Sequence, residues 1–539
     1  MTSIDASTDV NATWRSVIRV TGQVQGVGFR PFVHRLAREI GVAGAVWNDA
    51  SGVTIEARGA AERIDELIER VASEAPGMAQ IASVREMERS MVEAGVFDSG
   101  GFHIVESDGA PMARGRVTID AATCDDCLRE LFDSTDRRFR HGLINCTNCG
   151  PRYSIIRDLP YDRPRTTMGV FPMCPACEAE YEDPGDRRFH AQPVCCHKCG
   201  PQVKLQDAAG EALAGDPFAG AATLLAEGKT IAMKGIGGYH LVVDAGNDEA
   251  VGRLRAAKAR DHKPFAVMAR DEAVLERLVQ LSDESRLMLR SPASPIVLAW
   301  RLNGDGGGLV AEGVAPGMHR LGVMLPHTPM QHLLFSEAVV RDRVLVMTSA
   351  NRSDDPLITE DEAALAQLGP MCDAWLAHDR AIERAVDDSV LVDGEDGLIP
   401  IRRARGFVPT PMALPVNATA PGLCTGADLT SVATLVRDGE AICSQHLGDL
   451  TFALALRRFR TTIADLQRLY EIDPRWIATD MHPGYISHRW AQAMGQDLGV
   501  PVFEIQHHHA HLASVMAEHG RSERTIGLIL DGVGYGTDG

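Results

Sequence analysis

Cys124-Asp125-Asp126-Cys127, Cys146-Thr147-Asn148-Cys149, Cys174-Pro175-Ala176-Cys177 and Cys196-His197-Lys198-Cys199 are four Cys-x-x-Cys knuckles, and their spacing decides how the rest of the chain is read. Eighteen residues separate the first knuckle from the second, and eighteen the third from the fourth. The second pair repeats the first 50 positions on: Asp136-Arg137-Arg138-Phe139 returns as Asp186-Arg187-Arg188-Phe189, and Cys149-Gly150-Pro151 as Cys199-Gly200-Pro201. Each knuckle offers two thiolates on a tight turn, and two knuckles close one tetrahedral zinc site. A redox dithiol needs one reactive knuckle rather than four matched ones. Disulfides need an oxidising compartment, and nothing in residues 1–11 suggests export. The expectation is two structural zinc ions that fold a segment too poor in apolar residues to build its own core. Spacing leaves the pairing open: first with second and third with fourth, or nested as first with fourth and second with third. Either way the segment reads as a spacer that positions its neighbours, not as a catalyst.

Around it, 539 residues imply about three to five domains. Apolar content of 45% and charged content of 24% are those of an ordinary soluble protein. A net charge of −19, from 54 basic and 73 acidic residues, argues against a nucleic-acid-binding surface, which needs basic stripes. There is no run of 18 apolar residues, and residues 1–11 carry two Asp and no basic residue, so neither a membrane span nor a signal peptide is expected. Eight of twelve cysteines in knuckles suit a cytoplasmic, reducing location. Cys195, Cys372, Cys424 and Cys443 read as small core residues.

Residues 15–106 read as a small domain. An alternating strand over 16–21 runs into Gly22-Gln23-Val24-Gln25-Gly26-Val27-Gly28-Phe29-Arg30, and Pro31 suits the first turn of a helix with an apolar face of Val33, Leu36, Ala37 and Ile40. Two strands around a Ser51-Gly52 turn, a helix with Ile64, Leu67, Ile68 and Val71 on one side, and strand-like runs near 81–90 and 101–106 complete a ferredoxin-like order. The loop Gln25-Gly26-Val27-Gly28-Phe29 offers backbone amides to an anion at a helix start, and Arg30 adds a bidentate donor. With Trp47-Asn48 following, this string resembles the acylphosphatase family. The resemblance implies that Arg30 grips acyl-phosphate oxygens and Asn48 orients the attacking water.

Residues 206–410 open with a loose stretch over 207–216 that separates the knuckles from a larger α/β domain. A strand over 230–233 leads to Lys234-Gly235-Ile236-Gly237-Gly238-Tyr239-His240, then a basic helix over 254–260 and Lys263-Pro264-Phe265. Lys258, Arg260 and Lys263 fall within six residues, against the acidic trend, and clustered cations of this kind neutralise phosphates. Leu325-Pro326-His327-Thr328-Pro329 and Thr348-Ser349-Ala350-Asn351 follow. In this order the motifs resemble the YrdC family, which makes carbamoyl-type adenylates from ATP with magnesium. The resemblance implies a nucleotide and carbamoyl-adenylate site of Lys234, Lys258, Arg260, Lys263, Ser349 and Asn351. His240 and His327 are equally well read as site residues or as structural histidines.

Residues 411–539 begin with a linker over 411–421. Gly426-Ala427-Asp428, a strand over 433–436 and Ser444-Gln445-His446-Leu447-Gly448-Asp449 read as a hairpin with a polar turn. A helix over 452–470, a strand over 476–480, a helix over 484–497 and a strand over 501–505 continue an α/β pattern. His507 and His511, four apart on a helix, project from one face and suit a metal, iron or zinc. A strand over 526–530 would deliver Asp531 to complete the set. The segment resembles the first lobe of a TsaD-like domain of the actin-like superfamily; the family's lysine after Gly-Ala-Asp is replaced here by Leu429, Thr430 and Ser431. Ending at Gly539 inside a glycine-rich motif, the chain reads as C-terminally shortened.

The four modules in this order resemble the HypF carbamoyltransferases of nickel–iron hydrogenase maturation. That resemblance implies hydrolysis of carbamoyl phosphate, condensation of carbamate with ATP, and transfer of the carbamoyl group to the C-terminal cysteine of HypE. A shortened chain is expected to perform the first two steps and fail the third. Two other readings are weighed against this: a tRNA threonylcarbamoyl-type modification enzyme, and a zinc-dependent scaffold or chaperone.

Overall fold

The computed structural model describes residues 13–49, 52–92, 101–105, 117–302, 304, 306–351 and 357–537. Residues 1–11, Ser51 of the expected turn and residue 106 of the expected last strand lie outside the described residues.

The first module is β1 (Thr13–Gln23), α1 (Phe29–Ile40), β2 (Ala43–Asp49), β3 (Gly52–Gly59), α2 (Ala61–Ser73), β4 (Gln80–Val92) and β5 (Phe102–Ile104). Its sheet runs in the order β4-β1-β3-β2-β5, the ferredoxin-like pattern plus a parallel edge strand, β5 on β2. The alternation of β1 buries Ile18 and Val20. The face of α1 expected from periodicity is buried, joined by Phe29 and Phe32.

The knuckle module has little regular structure: α3 (Asp125–Phe132) and α4 (Pro175–Glu182) each start directly after a cysteine, Cys124 and Cys174, which takes the cap position. The repeat is therefore structural as well as sequential. Its two units exchange arginines. Arg137 and Arg138 reach Glu180 of the second unit's helix, while Arg187 and Arg188 reach Glu130 of the first.

The third module is an eleven-stranded mixed sheet. Its centre places Arg320–Met324, Ala266–Ala269, Val344–Ser349, Tyr239–Asp244 and Ile231–Lys234 side by side. The 207–216 stretch, expected to be loose, is a tight return: Gly210 donates to the Asp207 carbonyl, and Val203–Asp207 pairs with Ala374–His378 as the sheet's last strand. The fourth module is a six-stranded sheet. The expected linker contributes to it, since Met412–Ala413 pairs with Glu440–Cys443. The hairpin turn is not at Ser444–Asp449 but at Asp438-Gly439, both with positive φ (50° and 76°), a conformation Asp and Gly tolerate. Residues 526–530 form no strand: Ile526 is 99% exposed and Leu528 and Leu530 nearly as much, with no ladder to hold them. Apolar composition alone does not make a strand without a pairing edge and a face to bury.

The knuckle module touches all three neighbours. Leu143, Ile144 and the first cysteine set share a core with Phe218, Met330 and Leu334 of the third module. Tyr153 and Ile156 share one with Leu423, Leu435 and Ile463 of the fourth. Tyr153 donates to Gln445 (2.9 Å). Against the first module, a Cβ placed on Gly28 would lie 2.8 Å from Thr147 Oγ1. The expected spacer is a hub.

Candidate functional site

The eight cysteines form two separate clusters, Cys124/Cys127/Cys146/Cys149 and Cys174/Cys177/Cys196/Cys199, so the knuckles close first with second and third with fourth. Tetrahedral zinc with about 2.3 Å bonds to sulfur needs sulfur–sulfur edges of about 3.8 Å. The edges here are 3.6 (Cys124–Cys146), 3.9 (Cys146–Cys149) and 3.5 Å (Cys127–Cys149), then 3.8 (Cys174–Cys196), 3.8 (Cys196–Cys199) and 3.6 Å (Cys177–Cys199). Both sets fit the ion, and no cysteine is in a disulfide. Arg187 donates to Cys127 (3.1 Å) and Arg137 to Cys177 (3.3 Å), so each unit's arginine steadies a thiolate of the other. Of the remaining cysteines, Cys195 and Cys372 are buried as expected, and Cys424 and Cys443 are half-buried. Cys195 faces the buried His141 (3.3 Å).

The glycine loop of the first module has the form the sequence predicts. Gly26 and Gly28 take φ of 72° and 74°, which only glycine adopts without strain, and Gly28 caps α1. Gln25 is a latch: its amide donates to the carbonyls of Asp49 (2.9 Å) and Gly52 (2.7 Å), tying the loop to the β2–β3 turn. Val27 and Phe29 are buried under the loop. Arg30 and Asn48 line one cavity of about 140 Å³ with Gly26 and Gly28. Among the described residues the Asn48 Oδ1 is buried without a hydrogen-bond partner, an acceptor suited to a ligand or a water. The opposite wall belongs to the knuckle module: Thr147, Arg152, Tyr161, Phe189, His190 and Gln192. These residues were missed from sequence, where nothing links a knuckle to a loop more than a hundred positions earlier.

In the third module the expected residues partly converge. Lys258 ends the helix Asp248–Lys258, and its ammonium donates to the carbonyl of Ser349, the carbonyl of Asn351 (2.6 Å) and Asn351 Oδ1 (3.2 Å). Ser349 Oγ donates to the same Oδ1 (2.7 Å). Burial, with Arg260 and Lys263 near, pulls Lys258 down to about 7. Arg260 bonds Thr348 Oγ1 (3.2 Å) and the Lys263 carbonyl (3.1 Å) and lies over the Phe265 ring. Lys234 does not join them: its ammonium is held by Asp361 and by the His378 carbonyl (3.0 Å), two strands away in the same sheet. His240 bonds Asp388 (3.3 Å), whose other oxygen takes Arg405 Nε (2.9 Å). His327 is fully enclosed, and burial holds it neutral. Asp388 and Arg405 were not singled out from sequence: they stand at the two ends of the hairpin Val390–Gly394/Gly397–Arg402, and only its closing brings them together.

In the fourth module His507, His511 and Asp531 do come together. His507 Nε2 is 3.1 Å and His511 Nε2 3.5 Å from Asp531 Oδ2, and the two nitrogens are 3.2 Å apart. These spacings suit three ligands of one divalent ion. Sequence missed Asp480, whose Oδ2 lies 2.6 Å from His507 Nδ1 and so orients Nε2 toward the cluster. Among the described residues no helix is long and apolar enough to cross a membrane.

Family models agree with this division. The Acylphosphatase model matches residues 16–104, HypF finger 123–156 and 173–206, the Sua5/YciO/YrdC model (described as Telomere recombination) 223–404, and HypF Kae1-like domain 417–518. The chain is 47% identical to Carbamoyltransferase HypF2 of Cupriavidus necator, covering 98% of this chain and 66% of that one. It is 46% identical to Carbamoyltransferase HypF of Rhodobacter capsulatus, covering 98% and 69%. A crystal structure of full-length HypF in a phosphate- and nucleotide-bound form superposes with a TM-score of 0.86 at 41% identity, covering 98% of this chain and 67% of that one. The chain thus spans about two thirds of the length of the relatives it matches.

Proposed function

Because the chain belongs to the HypF carbamoyltransferase family, we propose that it hydrolyses carbamoyl phosphate to carbamate and phosphate, and joins the carbamate to ATP as carbamoyl-adenylate with release of pyrophosphate. For the whole protein of this family we propose a third step, in which the C-terminal cysteine thiolate of HypE attacks the carbamoyl carbon and AMP leaves, toward nickel–iron hydrogenase maturation. The observation that carries the reading is the cavity shared by Arg30, the two loop glycines and the orphaned Asn48 acceptor. Arg30 and the loop amides neutralise the phosphoryl oxygens, and Asn48 Oδ1 accepts a hydrogen bond from the attacking water and so orients it. In the third module Lys258, Arg260, Lys263, Ser349 and Asn351 take the nucleotide, with magnesium arriving on ATP. Lys234, held by Asp361 and the His378 carbonyl, is left out of this group. His507, His511 and Asp531 would hold a divalent ion, iron or zinc, whose charge favours phosphate groups when bound. The reduced thiolates that zinc requires support a cytoplasmic location.

The test is phosphate, AMP and pyrophosphate release from carbamoyl phosphate and ATP. Arg30→Ala is expected to lower carbamoyl-phosphate hydrolysis by at least about 100-fold, the scale of losing a preorganised charge donor. ATP consumption at full rate without carbamoyl phosphate would overturn the coupling of the two steps. The acidic surface and the first module favour this reading over tRNA modification, and binding of tRNA would reverse that preference.

A further inference from the structure

We propose that the knuckle module sets the acyl group accepted by the acyl-phosphate pocket, restricting it to acyl groups of carbamoyl or acetyl size. The inference rests on reading Arg30 and Asn48 as an acyl-phosphate site, and concerns what closes that site.

The phosphate loop and Asn48 form only half of the cavity; the rest is Thr147, Arg152, Tyr161, Phe189, His190 and Gln192. The two halves are packed closely against each other. A side chain on Gly28 would meet Thr147 at 2.8 Å and Asn148 at 3.0 Å, and one on Gly26 would meet Thr118 at 3.3 Å. Thr147 and Asn148 lie between Cys146 and Cys149, so the wall stands on the first metal cluster itself. Thr147 is further tied to the second unit, donating to the Arg187 carbonyl (3.0 Å).

Arg152 is pinned in this wall. Its guanidinium donates to the carbonyls of Pro151 (2.7 Å), Cys146 (2.7 Å) and Thr147 (3.2 Å). No carboxylate is in an ion pair with its guanidinium among the described residues, the nearby Asp120 carboxylate being taken up by the Arg152 backbone N–H (2.6 Å) and by Ser154. An anionic substrate is attracted from both sides, by Arg30 and by Arg152. Tyr161, its hydroxyl 3.5 Å from the Pro151 carbonyl, adds the bulk.

Volume then decides the substrate class. A single benzene ring takes a cavity of about 150 Å³. The whole pocket is about 140 Å³, and the phosphoryl group occupies the part beside the loop. A planar acyl group of three heavy atoms fits what is left; an aryl group does not.

The zinc-loaded chain would be assayed with carbamoyl, acetyl and benzoyl phosphate, comparing kcat/KM. Benzoyl phosphate is expected at least about tenfold below acetyl phosphate, the discrimination a shaped apolar pocket supplies. Tyr161→Ala is expected to raise the benzoyl-to-acetyl ratio about tenfold, and Tyr161→Phe to restore it. If Tyr161→Ala loses zinc, Phe189→Ala provides the second opening of the same wall. Equal use of benzoyl and acetyl phosphate by the unaltered chain, or a ratio unmoved in zinc-loaded wall variants, would overturn the proposal. Arg30→Ala separates the two claims: retained hydrolysis in that variant defeats the phosphate-site reading, whereas its loss beside an unmoved ratio defeats only the wall.

Discussion

Lys258 carries its charge where water scarcely reaches, with all three ammonium hydrogens directed at oxygens of Ser349 and Asn351. Burial holds it near 7, so above neutral pH the free protein has lost part of this proton. A bound triphosphate favours the charged form. Nucleotide binding at pH 8 should therefore take up close to one proton, and affinity should fall as pH rises through 7. Calorimetry in buffers of different ionisation enthalpy checks this, and Lys258→Met should abolish the uptake. Asp480 plays a comparable part for His507, holding Nδ1 so that Nε2 faces the cluster. Asp480→Ala should weaken divalent-metal binding about 10–100-fold, read by metal titration. At this scale the cysteines were legible because their spacing is local and repeated. Asp480, Asp388 and Arg405 were not, since each acquires its role from a partner distant in sequence.

The exchanged arginines make α3 and α4 depend on one another. Arg188 is almost fully buried, and its carboxylate partner Glu130 comes from the opposite repeat. Glu130→Ala leaves that guanidinium uncompensated and should cost about 3–5 kcal/mol, measured by denaturant unfolding of the zinc-loaded protein. Release of zinc to a chelator should accelerate at the first cluster, because Arg187, which Glu130 also holds, donates to Cys127. Helices were the most readable elements: the faces of α1 and the start of His507–Glu518 follow from spacing alone. Residues 526–530 show the limit of that reading. Their apolar content signals a strand, but a strand is a property of its neighbours, and none is paired with it.

Across the molecule, the knuckle module is the common support of the other three. Its contacts run to Gly28, to the core around Phe218 and Met330, and to Gln445. Stripping zinc should therefore abolish carbamoyl-phosphate hydrolysis although no cysteine touches the phosphate loop, and should lower the melting temperature of the whole chain in one transition. Differential scanning calorimetry with and without chelator decides it. The four-module division was readable in order and in kind; the hub was not, because a metal-built segment shows no apolar periodicity to announce what it packs against. The crossed arginines carry one more consequence. A lone copy of the unit could satisfy Glu130 only by embracing a second lone copy, so the tandem chain is in effect a homodimer made covalent, with tether length standing in for binding affinity.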